Sequence, residues 1–203
     1  MLELFLFINP IGNRCREAEL AVQRLARELT QKVSLRFVPL VNFPVIDQYM
    51  REAHLDPHNL ALRNQLFNTA YQVAVDFKAA QFQGNVKARK LLIKQQAALA
   101  TPAAPYDLKQ AFEDVKQVGF DLEAFQEDRA REEMSQCLAS DQAIALEMGI
   151  TETPAVVVFN TANPTEGIRL GNVKTYERFK KVVQTVITQP DIQPSRALLR
   201  SLN

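Results

Sequence analysis

The residues best able to take part in chemical reactions are two cysteines, Cys15 and Cys137, because a thiolate is a nucleophile and a metal ligand. Cys15 stands where a short apolar run ends and a helical pattern begins. At the start of a helix, unpaired backbone N–H groups and the helix dipole stabilise a thiolate and lower its pKa. Position 15 therefore has the local setting of a thiol that takes part in disulfide exchange, although exchange also needs a second cysteine one turn away.

The periodicity of the helix favours a different environment for this thiol. Cys15, Ala18, Val22 and Leu25 recur at helical spacing, and we predict that this stripe faces a sheet. Apolar neighbours shield a thiol and raise its pKa, so we expect Cys15 to behave as a small buried residue. If Asn13 is the N-cap, Cys15 lies in the first turn, and reactivity of this single thiol stays open as an alternative.

The spacing of histidine and cysteine does not predict a metal site. His54 and His58 are four residues apart, but Pro57 separates them, so a shared helical face is not expected. Cys15 and Cys137 are far apart in sequence, and we expect Cys137 to be a structural residue of a helix. No catalytic triad, phosphate loop or convincing carboxylate pair is recognisable. We therefore expect neither a metal nor a cofactor.

Composition is that of an ordinary globular protein. The chain has 203 residues, of which 47% are hydrophobic and 23% charged, enough to bury a core. Its 24 basic and 23 acidic residues give a net charge of +1, which does not favour binding to nucleic acid or to an anionic membrane. The apolar N-terminus is short, has no basic lead-in and is interrupted by Asn9-Pro10, so we predict a strand, no signal peptide and a cytoplasmic location.

The elements around Cys15 are predicted to form a β-α-β unit. The apolar run Leu2–Ile8 predicts a buried strand, and a second strand is predicted over Val33–Val41. The helix between them has apolar residues on one side. Its charged residues are predicted to lie largely on the other side: Arg16, Glu19, Arg24, Arg27 and Glu28.

A long helical region follows, in which glycine is scarce and helix-forming residues are abundant from Pro44 to about Ile150. Proline, aspartate and glycine predict where its helices begin and end. The predicted helices run from Asp56-Pro57 to about Phe82, over Val86–Leu99, from Asp107 to Gly119, from Asp121 through Met134, and from Ser140 and Asp141 to Gly149. Lys87, Arg89, Lys90 and Lys94 form a basic cluster, predicted to be a solvated face, with contact to an acidic partner as the alternative.

The last part of the chain returns to mixed α/β character. Ala155–Phe159 and Ile168–Leu170 predict two strands, and a helix is predicted from about Thr175. The order βαβ, helices, ββα indicates one sheet that is completed across an insertion. We therefore predict an α/β fold whose core comprises residues 1–43 and 150–190, with a helical insertion at 44–149 and a tail at 191–203.

Two segments of the chain resemble DsbA-like proteins of the thioredoxin superfamily. In the segment Phe7–Cys15, Gly12 stands where that family has the first cysteine of its Cys-x-x-Cys motif, and Cys15 falls on the second. The segment Gly149–Val158 is similar to the family's cis-proline loop, with Thr153-Pro154 at its centre. The resemblance implies a thioredoxin-like, DsbA-type sheet with a helical insertion, and a dithiol site that has lost its attacking cysteine.

Within that superfamily, the chain also resembles the Firmicute adaptors that deliver the transcription factor Spx to the ClpXP protease. This resemblance implies a non-catalytic cytosolic adaptor in the regulation of proteolysis and stress response, with an Spx-like client and ClpXP as partners. In thioredoxin-like folds, the residue before the cis-proline pairs with an extended peptide through main-chain hydrogen bonds. The implied peptide-binding residues are Gly12, Asn13, Arg14, Thr153 and Pro154.

Two enzymatic functions remain as alternatives. The first is a cytosolic thiol-disulfide oxidoreductase that uses Cys15 alone, with glutathione as its co-substrate. The second follows from a similarity of architecture to kappa-class glutathione transferases, which use a hydroxyl at the start of the helix. Gly12 and Asn13 supply no hydroxyl there, which disfavours the second alternative.

Overall fold

The computed structural model describes residues 1–101, 104–160, 163–170 and 176–188 as a mixed α/β protein. In chain order, its elements are β1 (Leu2–Ile8), α1 (Asn13–Glu28), β2 (Val33–Pro39), α2 (Phe43–Glu52), α3 (Leu60–Phe82), α4 (Asn85–Ala98), α5 (Leu108–Val118), α6 (Leu122–Arg129), α7 (Glu133–Glu147), β3 (Ala155–Asn160), β4 (Asn163–Leu170) and α8 (Tyr176–Thr188). The predicted α/β class is confirmed. The predicted tail at 191–203 lies outside the described residues.

The chain forms two compact units. The first comprises Met1–Ile8, Glu17–Val38 and the described residues from Thr153 onward, and the second comprises Asn9–Arg16 and Pro39–Glu152. Among the described residues, no helix has the length and hydrophobicity needed to cross a bilayer.

The first unit contains a sheet of four strands in the order β2-β1-β3-β4. Strand β3 pairs antiparallel with β1, from Leu2 opposite Asn160 to Phe7 opposite Ala155, and it pairs antiparallel with β4 on its other side. All residues of β1 except Glu3 are buried, which is why this strand is apolar throughout rather than alternating. The sequence prediction of β1 is confirmed at both ends.

Helix α1 buries the predicted stripe but also one charged residue. Ala18, Val22 and Leu25 are at most 4% exposed, as the periodicity predicts. Glu19, predicted on the solvent side, is fully buried, and the neighbouring Leu20 is half-exposed. Position 19 lies four residues after Cys15 and three before Val22, so it shares their side of the helix. The prediction that Glu19 lies on the solvent side was wrong, because the position of a residue along the helix, and not its charge, sets the side on which it lies.

The second unit is organised around α3, the longest helix. Ala70, Val73, Ala74 and Phe77 of α3 are at most 1% exposed. Alanine at positions 70 and 74 lets neighbouring helices approach closely. Helices α4, α6 and α7 contact α3 and contribute further buried apolar residues: Leu91 and Leu92 of α4, Phe125 of α6, and Met134 and Leu138 of α7. Cys137 is half-buried and packs against the cluster formed by Ala74, Val75, Met134 and Leu138, consistent with a structural role.

Aspartate and glycine mark the ends of α5 and α6 as predicted. The carboxylate of Asp107 accepts a hydrogen bond from Lys109 N at 2.9 Å, and that of Asp121 accepts one from Ala124 N at 3.1 Å. Gly119 ends α5 with φ of 88°, a left-handed conformation that a glycine adopts without steric cost.

Asparagine, rather than Asp56-Pro57, begins the helices before α4. Asn59 caps α3 through a hydrogen bond from Leu62 N to Oδ1 at 3.0 Å. The carboxylate of Asp56 accepts from His58 N at 2.9 Å and so forms a turn instead of a helix cap. Asn42 caps α2, a helix that the sequence analysis did not delimit, by accepting from Val45 N at 3.0 Å. The predicted start of α3 was therefore too early.

The two predicted helices after Asp121 have different boundaries in the structure. Helix α6 ends at Arg129 and α7 begins at Glu133, so Met134 belongs to α7. Ser140, predicted to start a helix, lies within α7 and donates its hydroxyl proton to Gln136 O at 2.9 Å. Serine satisfies its hydroxyl this way inside helices as well as at caps, so the residue type alone did not distinguish the two positions.

Two members of the predicted basic cluster have partners within the second unit. Lys87 Nζ donates to Gly119 O at 2.8 Å, and Lys94 Nζ lies 3.5 Å from Asp114 Oδ1. These contacts connect α4 to α5 and its C-terminal cap.

A set of charged side chains connects the C-terminal end of α1 with the N-terminal half of α8 in the first unit. Glu28 accepts hydrogen bonds from Lys180 Nζ at 2.7 Å and from Arg24 Nε at 2.8 Å. Hydrogen bonds from Lys180, Tyr176 and Arg24 lower the pKa of Glu28 from 4.5 to about 2. The carboxylate therefore stays ionised well into the acidic range.

Replacing this carboxylate is expected to change the pH dependence of stability. A lowered pKa in the folded state means that Glu28 stabilises the protein fully above pH 4.5 and loses that effect as pH falls towards about 2. We expect Glu28→Gln to lower the melting temperature at pH 7 by about 1–3 °C, since exposed ion pairs contribute little. Melting curves from pH 7 to pH 2.5 should show this difference shrinking in acid, whereas Glu17→Gln at an exposed site of α1 should have no such effect. A difference that is constant with pH would contradict this account.

Candidate functional site

The turn between β1 and α1 is built by the buried side chain of Asn9. Its Oδ1 accepts a hydrogen bond from Ile11 N at 3.1 Å, and its main-chain oxygen accepts one from Gly12 N at 3.0 Å. Asn9 is 3% exposed, so these hydrogen bonds satisfy polar groups that water does not reach. The sequence marks Asn9-Pro10 as the end of a strand but does not single out Asn9 as the residue that forms the turn, although asparagine commonly does so.

The turn leads directly into α1, with Gly12 at the cap position. The main-chain oxygen of Gly12 accepts the hydrogen bond from Arg16 N at 3.1 Å, and Asn13 is the first residue of the helix. The prediction that Asn13 is the N-cap was therefore wrong by one residue. Its side chain instead donates from Nδ2 to Ala100 O at 3.4 Å, a contact across 87 positions that local sequence could not indicate.

Cys15 lies in the first turn of the helix and is buried. Only 2% of the residue is exposed, and its Sγ accepts a hydrogen bond from Asn9 N at 3.2 Å. A thiol in this position cannot be approached by a large disulfide substrate without movement of the turn. The structure therefore agrees with the buried position that the helical stripe predicts, rather than with an exposed nucleophile.

Gly12 lies directly beside this sulfur. A Cβ at position 12 would lie 3.2 Å from Cys15 Sγ and 3.4 Å from Asn9 Cβ. In a disulfide, the Cβ of one cysteine lies about 3 Å from the sulfur of the other, as the S–S bond length requires. The φ of Gly12 is outside the left-handed region, so a residue with a side chain can adopt this backbone conformation. Position 12 is thus where a disulfide partner of Cys15 would stand.

Arg14 is the charged residue of the first turn. Its guanidinium forms an ion pair with Glu52 of α2, and the same Glu52 oxygen accepts from Gln48 Nε2 at 2.9 Å. The Arg14 side chain keeps 40% exposure although it is paired with Glu52. Asn13 is exposed beside it. Together these two residues give the start of α1 a polar surface rich in hydrogen-bond donors.

The second predicted segment lies at the start of β3, in the first compact unit. The Thr153–Pro154 peptide bond is cis, as the resemblance implied, and both residues are buried, Thr153 to 4% exposure. The ladder between β3 and β1 begins at Ala155, immediately after them. Of the predicted site residues, Gly12, Asn13, Arg14 and Cys15 are together in the second unit, whereas Thr153 and Pro154 belong to the first.

Neither cysteine forms a disulfide in this structure. Across the described ranges, no three histidine, cysteine, aspartate or glutamate side chains are grouped as metal ligands would be. The chemistry of this site therefore depends on the one buried thiol and on the hydrogen-bonding groups around it.

Comparison with known proteins gives one family and several similar folds. A model of the thioredoxin family matches residues 5–181. The ClpXP adapter protein SpxH from Staphylococcus aureus is 21% identical over 189 residues, which are 93% of this chain and 67% of the relative. The chain thus spans about two-thirds of the length of that relative.

Solved structures with the same fold include disulfide-exchange proteins. A putative protein disulfide isomerase from Nitrosomonas europaea superposes with a TM-score of 0.70 at 14% identity, covering 93% of this chain and 98% of the other. The cytosolic disulfide reductase DsbM from Pseudomonas aeruginosa superposes with a TM-score of 0.65 at 13% identity, covering 92% and 98%. These similarities confirm the predicted thioredoxin-like, DsbA-type fold.

The burial of Cys15 predicts a difference in reactivity between the two thiols. We expect iodoacetamide to modify the half-buried Cys137 at least about tenfold faster than Cys15 in the native protein, because alkylation needs an accessible thiolate. Peptide mass spectrometry after timed labelling measures both rates, and labelling in 6 M urea should make them equal. Rapid native labelling of Cys15 that matches its rate in urea would contradict the buried position.

The position of Gly12 predicts that a disulfide can be introduced by one substitution. We expect Gly12→Cys to form an intramolecular disulfide with Cys15 under mild oxidation, because the required Cβ–Sγ separation is already present. Thiol titration of the oxidised, unfolded variant should then detect Cys137 alone. Gly12→Ser, which adds a side chain of similar size without sulfur, should retain both native thiols. Persistence of all thiols in oxidised Gly12→Cys would show that position 12 does not face Cys15.

Proposed function

This chain belongs to the thioredoxin family, and we propose that it is a protein-binding adaptor whose dithiol site no longer performs exchange. The proposal extends to a cytoplasmic location and to delivery of a regulator, such as the transcription factor Spx, to the ClpXP protease. The observation that carries it is Gly12, which places no sulfur beside the buried Cys15 at the position from which a disulfide to it could form.

Thiol–disulfide exchange by a dithiol site has two requirements that this site does not meet. An exposed thiolate must attack the substrate disulfide, and a second thiol must then resolve the mixed disulfide. Gly12 has no sulfur, and Cys15 is 2% exposed with its Sγ accepting a hydrogen bond from Asn9 N. The thiol that is present, Cys15, is shielded from solvent. We therefore propose that the site has lost thiol–disulfide exchange.

Binding of a polypeptide does not require either thiol. Main-chain hydrogen bonds give affinity for an extended segment, and nearby side chains select its sequence. We propose that the binding residues are Gly12, Asn13, Arg14, Thr153 and Pro154, as the resemblance implied. The similarity to SpxH, whose name describes a ClpXP adapter, supports an adaptor role at 21% identity.

Arg14 is the residue of the proposed binding surface that is best suited to select a client. Its guanidinium has five N–H donors in a planar arrangement, and the side chain is 40% exposed although it pairs with Glu52. Asn13 adds a further exposed polar side chain at the same helix start. This surface favours a client segment with carboxylate or carbonyl groups, because these accept such hydrogen bonds.

A reconstituted degradation assay tests the adaptor function. Purified protein is expected to bind Spx and to accelerate its degradation by ClpXP, and Cys15→Ala should retain both effects. Arg14→Glu is expected to weaken Spx binding by about tenfold or more, since it reverses a charge at the proposed surface. Arg27→Glu makes the same change at the exposed far end of α1 and serves as the matched control. Absence of both binding and acceleration would rule out this role.

Disulfide reduction through Cys15 alone, with glutathione as the co-substrate, is the second candidate function. It is favoured by the similarity of fold to DsbM, which is described as a cytosolic disulfide reductase. An insulin-reduction or glutathione-exchange assay distinguishes the two functions. Turnover by the wild-type chain that disappears in Cys15→Ala would establish the enzyme and contradict the adaptor proposal, whereas the adaptor predicts no turnover above background.

A further inference from the structure

Both polar side chains at the start of α1 are held by acceptors that belong to the protein itself. Arg14 forms an ion pair with the carboxylate of Glu52, the last residue of α2. Asn13 Nδ2 donates to the main-chain oxygen of Ala100, two residues after α4, at 3.4 Å. All four residues belong to the second compact unit. One carboxylate and one main-chain carbonyl are also the acceptors that an acidic polypeptide segment would offer.

The ion pair between Arg14 and Glu52 is open to solvent. The Arg14 side chain is 40% exposed and the Glu52 side chain 32%. Exposed ion pairs contribute little to stability, because water screens the attraction and two long side chains must be held in place. Exchange of Glu52 for a carboxylate of another molecule would leave the guanidinium paired before and after. The contact is therefore one that an incoming acidic group can replace at low cost.

The guanidinium of Arg14 is also used incompletely. Arg63 donates from Nε and Nη2 to the two oxygens of Asp47, at 2.6 and 2.9 Å, whereas Arg14 donates to Glu52 from Nη1 alone. Among the described residues, Nε and Nη2 of Arg14 have no hydrogen-bond partner, and unlike Nε of Arg16 they are not shielded from solvent. A two-point contact with a carboxylate is stronger than a one-point contact. An incoming carboxylate that uses the Nε–Nη2 edge therefore binds better than Glu52 does.

The carboxylate of Glu52 keeps a partner when it leaves Arg14. Gln48 Nε2, one turn earlier on α2, donates to Glu52 Oε1 at 2.9 Å. The other contact at the start of α1 is weak, since 3.4 Å between Asn13 Nδ2 and Ala100 O exceeds the usual range of about 2.7–3.2 Å. Both contacts can therefore be exchanged without leaving a buried polar group unsatisfied.

We propose that Glu52 and the Ala100 carbonyl occupy the client surface as internal stand-ins, and that Glu52 determines which clients bind. This inference rests on the proposed adaptor function. A client segment binds by exchange: its acidic side chain replaces Glu52 on Arg14, and one of its main-chain carbonyls replaces Ala100 on Asn13. A segment without an acidic side chain has nothing to offer the guanidinium, so the ion pair stays in place and excludes it.

The tether of Glu52 to α2 makes this exchange selective. A carboxylate held on the same chain acts at a high effective concentration, so dissolved carboxylates compete with it poorly. A client segment overcomes this advantage because its acidic side chain and its carbonyl are themselves tethered to one another and engage Arg14 and Asn13 together. The surface thus selects an acidic residue within a polypeptide rather than negative charge in general.

Substitution of Glu52 tests its role as a competitor. Glu52→Gln keeps the size of the side chain and removes its charge, and we expect it to bind Spx about two- to fivefold more tightly than wild type by calorimetry. Glu113→Gln removes a carboxylate from another exposed ion pair, with Lys116 on α5, and should leave the affinity unchanged. In a chain that carries Arg14→Gln, Glu52→Gln should have no effect, because the competition acts through the guanidinium. Unchanged or weaker binding of Spx by folded Glu52→Gln would overturn the inference and leave the adaptor function standing.

A second measurement decides the role of Glu52 without Spx. The ¹⁵Nε signal of Arg14 is titrated with the capped tripeptides Gly-Asp-Gly and Gly-Asn-Gly. We expect only the aspartyl peptide to shift this signal saturably, with a Kd at least about twofold lower in Glu52→Gln than in wild type. If Spx binds to neither protein, the adaptor function fails while this titration still reports the competition. Equal affinity of both proteins for the aspartyl peptide would show that Glu52 does not compete for Arg14.

Discussion

The hydrogen bond from Asn9 N to Cys15 Sγ is the contact on which the candidate site depends. It draws the end of β1 and the first turn of α1 together around a buried sulfur, and the hydrogen bonds of Asn9 to Ile11 and Gly12 fix the turn between them. Gly12 then lies against the sulfur without a side chain to bridge it. The result is a buried thiol with a polar contact, beside a position that carries no side chain, in a thioredoxin-like fold.

The helical unit depends on a different buried group, the carboxylate of Asp76. Burial raises the pKa of Asp76, and the neighbouring charge of Arg129 acts in the opposite direction. Burial and the nearby Asp76 charge raise the pKa of Tyr106, so its hydroxyl keeps the proton that it donates to Asp76. Arg129 and Tyr106 donate hydrogen bonds to the Asp76 carboxylate, and a buried carboxylate is tolerated only with such partners. The same network orients Gln95, so Asp76 connects α3 with Gln95 of α4 and Arg129 of α6.

Structural features that follow from one physical cause, such as the burial of a periodic apolar stripe, were predictable from the sequence. Apolar periodicity identified β1 and the buried stripe of α1, and the residues Asp107 and Gly119 identified the ends of α5. The sequence did not decide the role of polar residues whose side chains can form more than one kind of hydrogen bond. Asp56 forms a turn instead of a cap, Ser140 bonds back within a helix, and Asn13 uses its amide on a distant carbonyl. In each case the side chain has several local partners of similar energy, and the tertiary environment selects among them.

The amino-acid sequence by itself determined which atoms are present, and therefore that position 12 carries no sulfur and that Cys15 lies on an apolar helical stripe. Folding cannot add a sulfur atom to position 12, so the absence of a thiol there follows from the sequence alone. Tertiary structure alone decided which polar atoms meet. Asn9 N reaches Cys15 Sγ, and Glu28 pairs with Lys180 across 152 positions. Such contacts depend on how distant segments pack, and local periodicity holds no information about that packing.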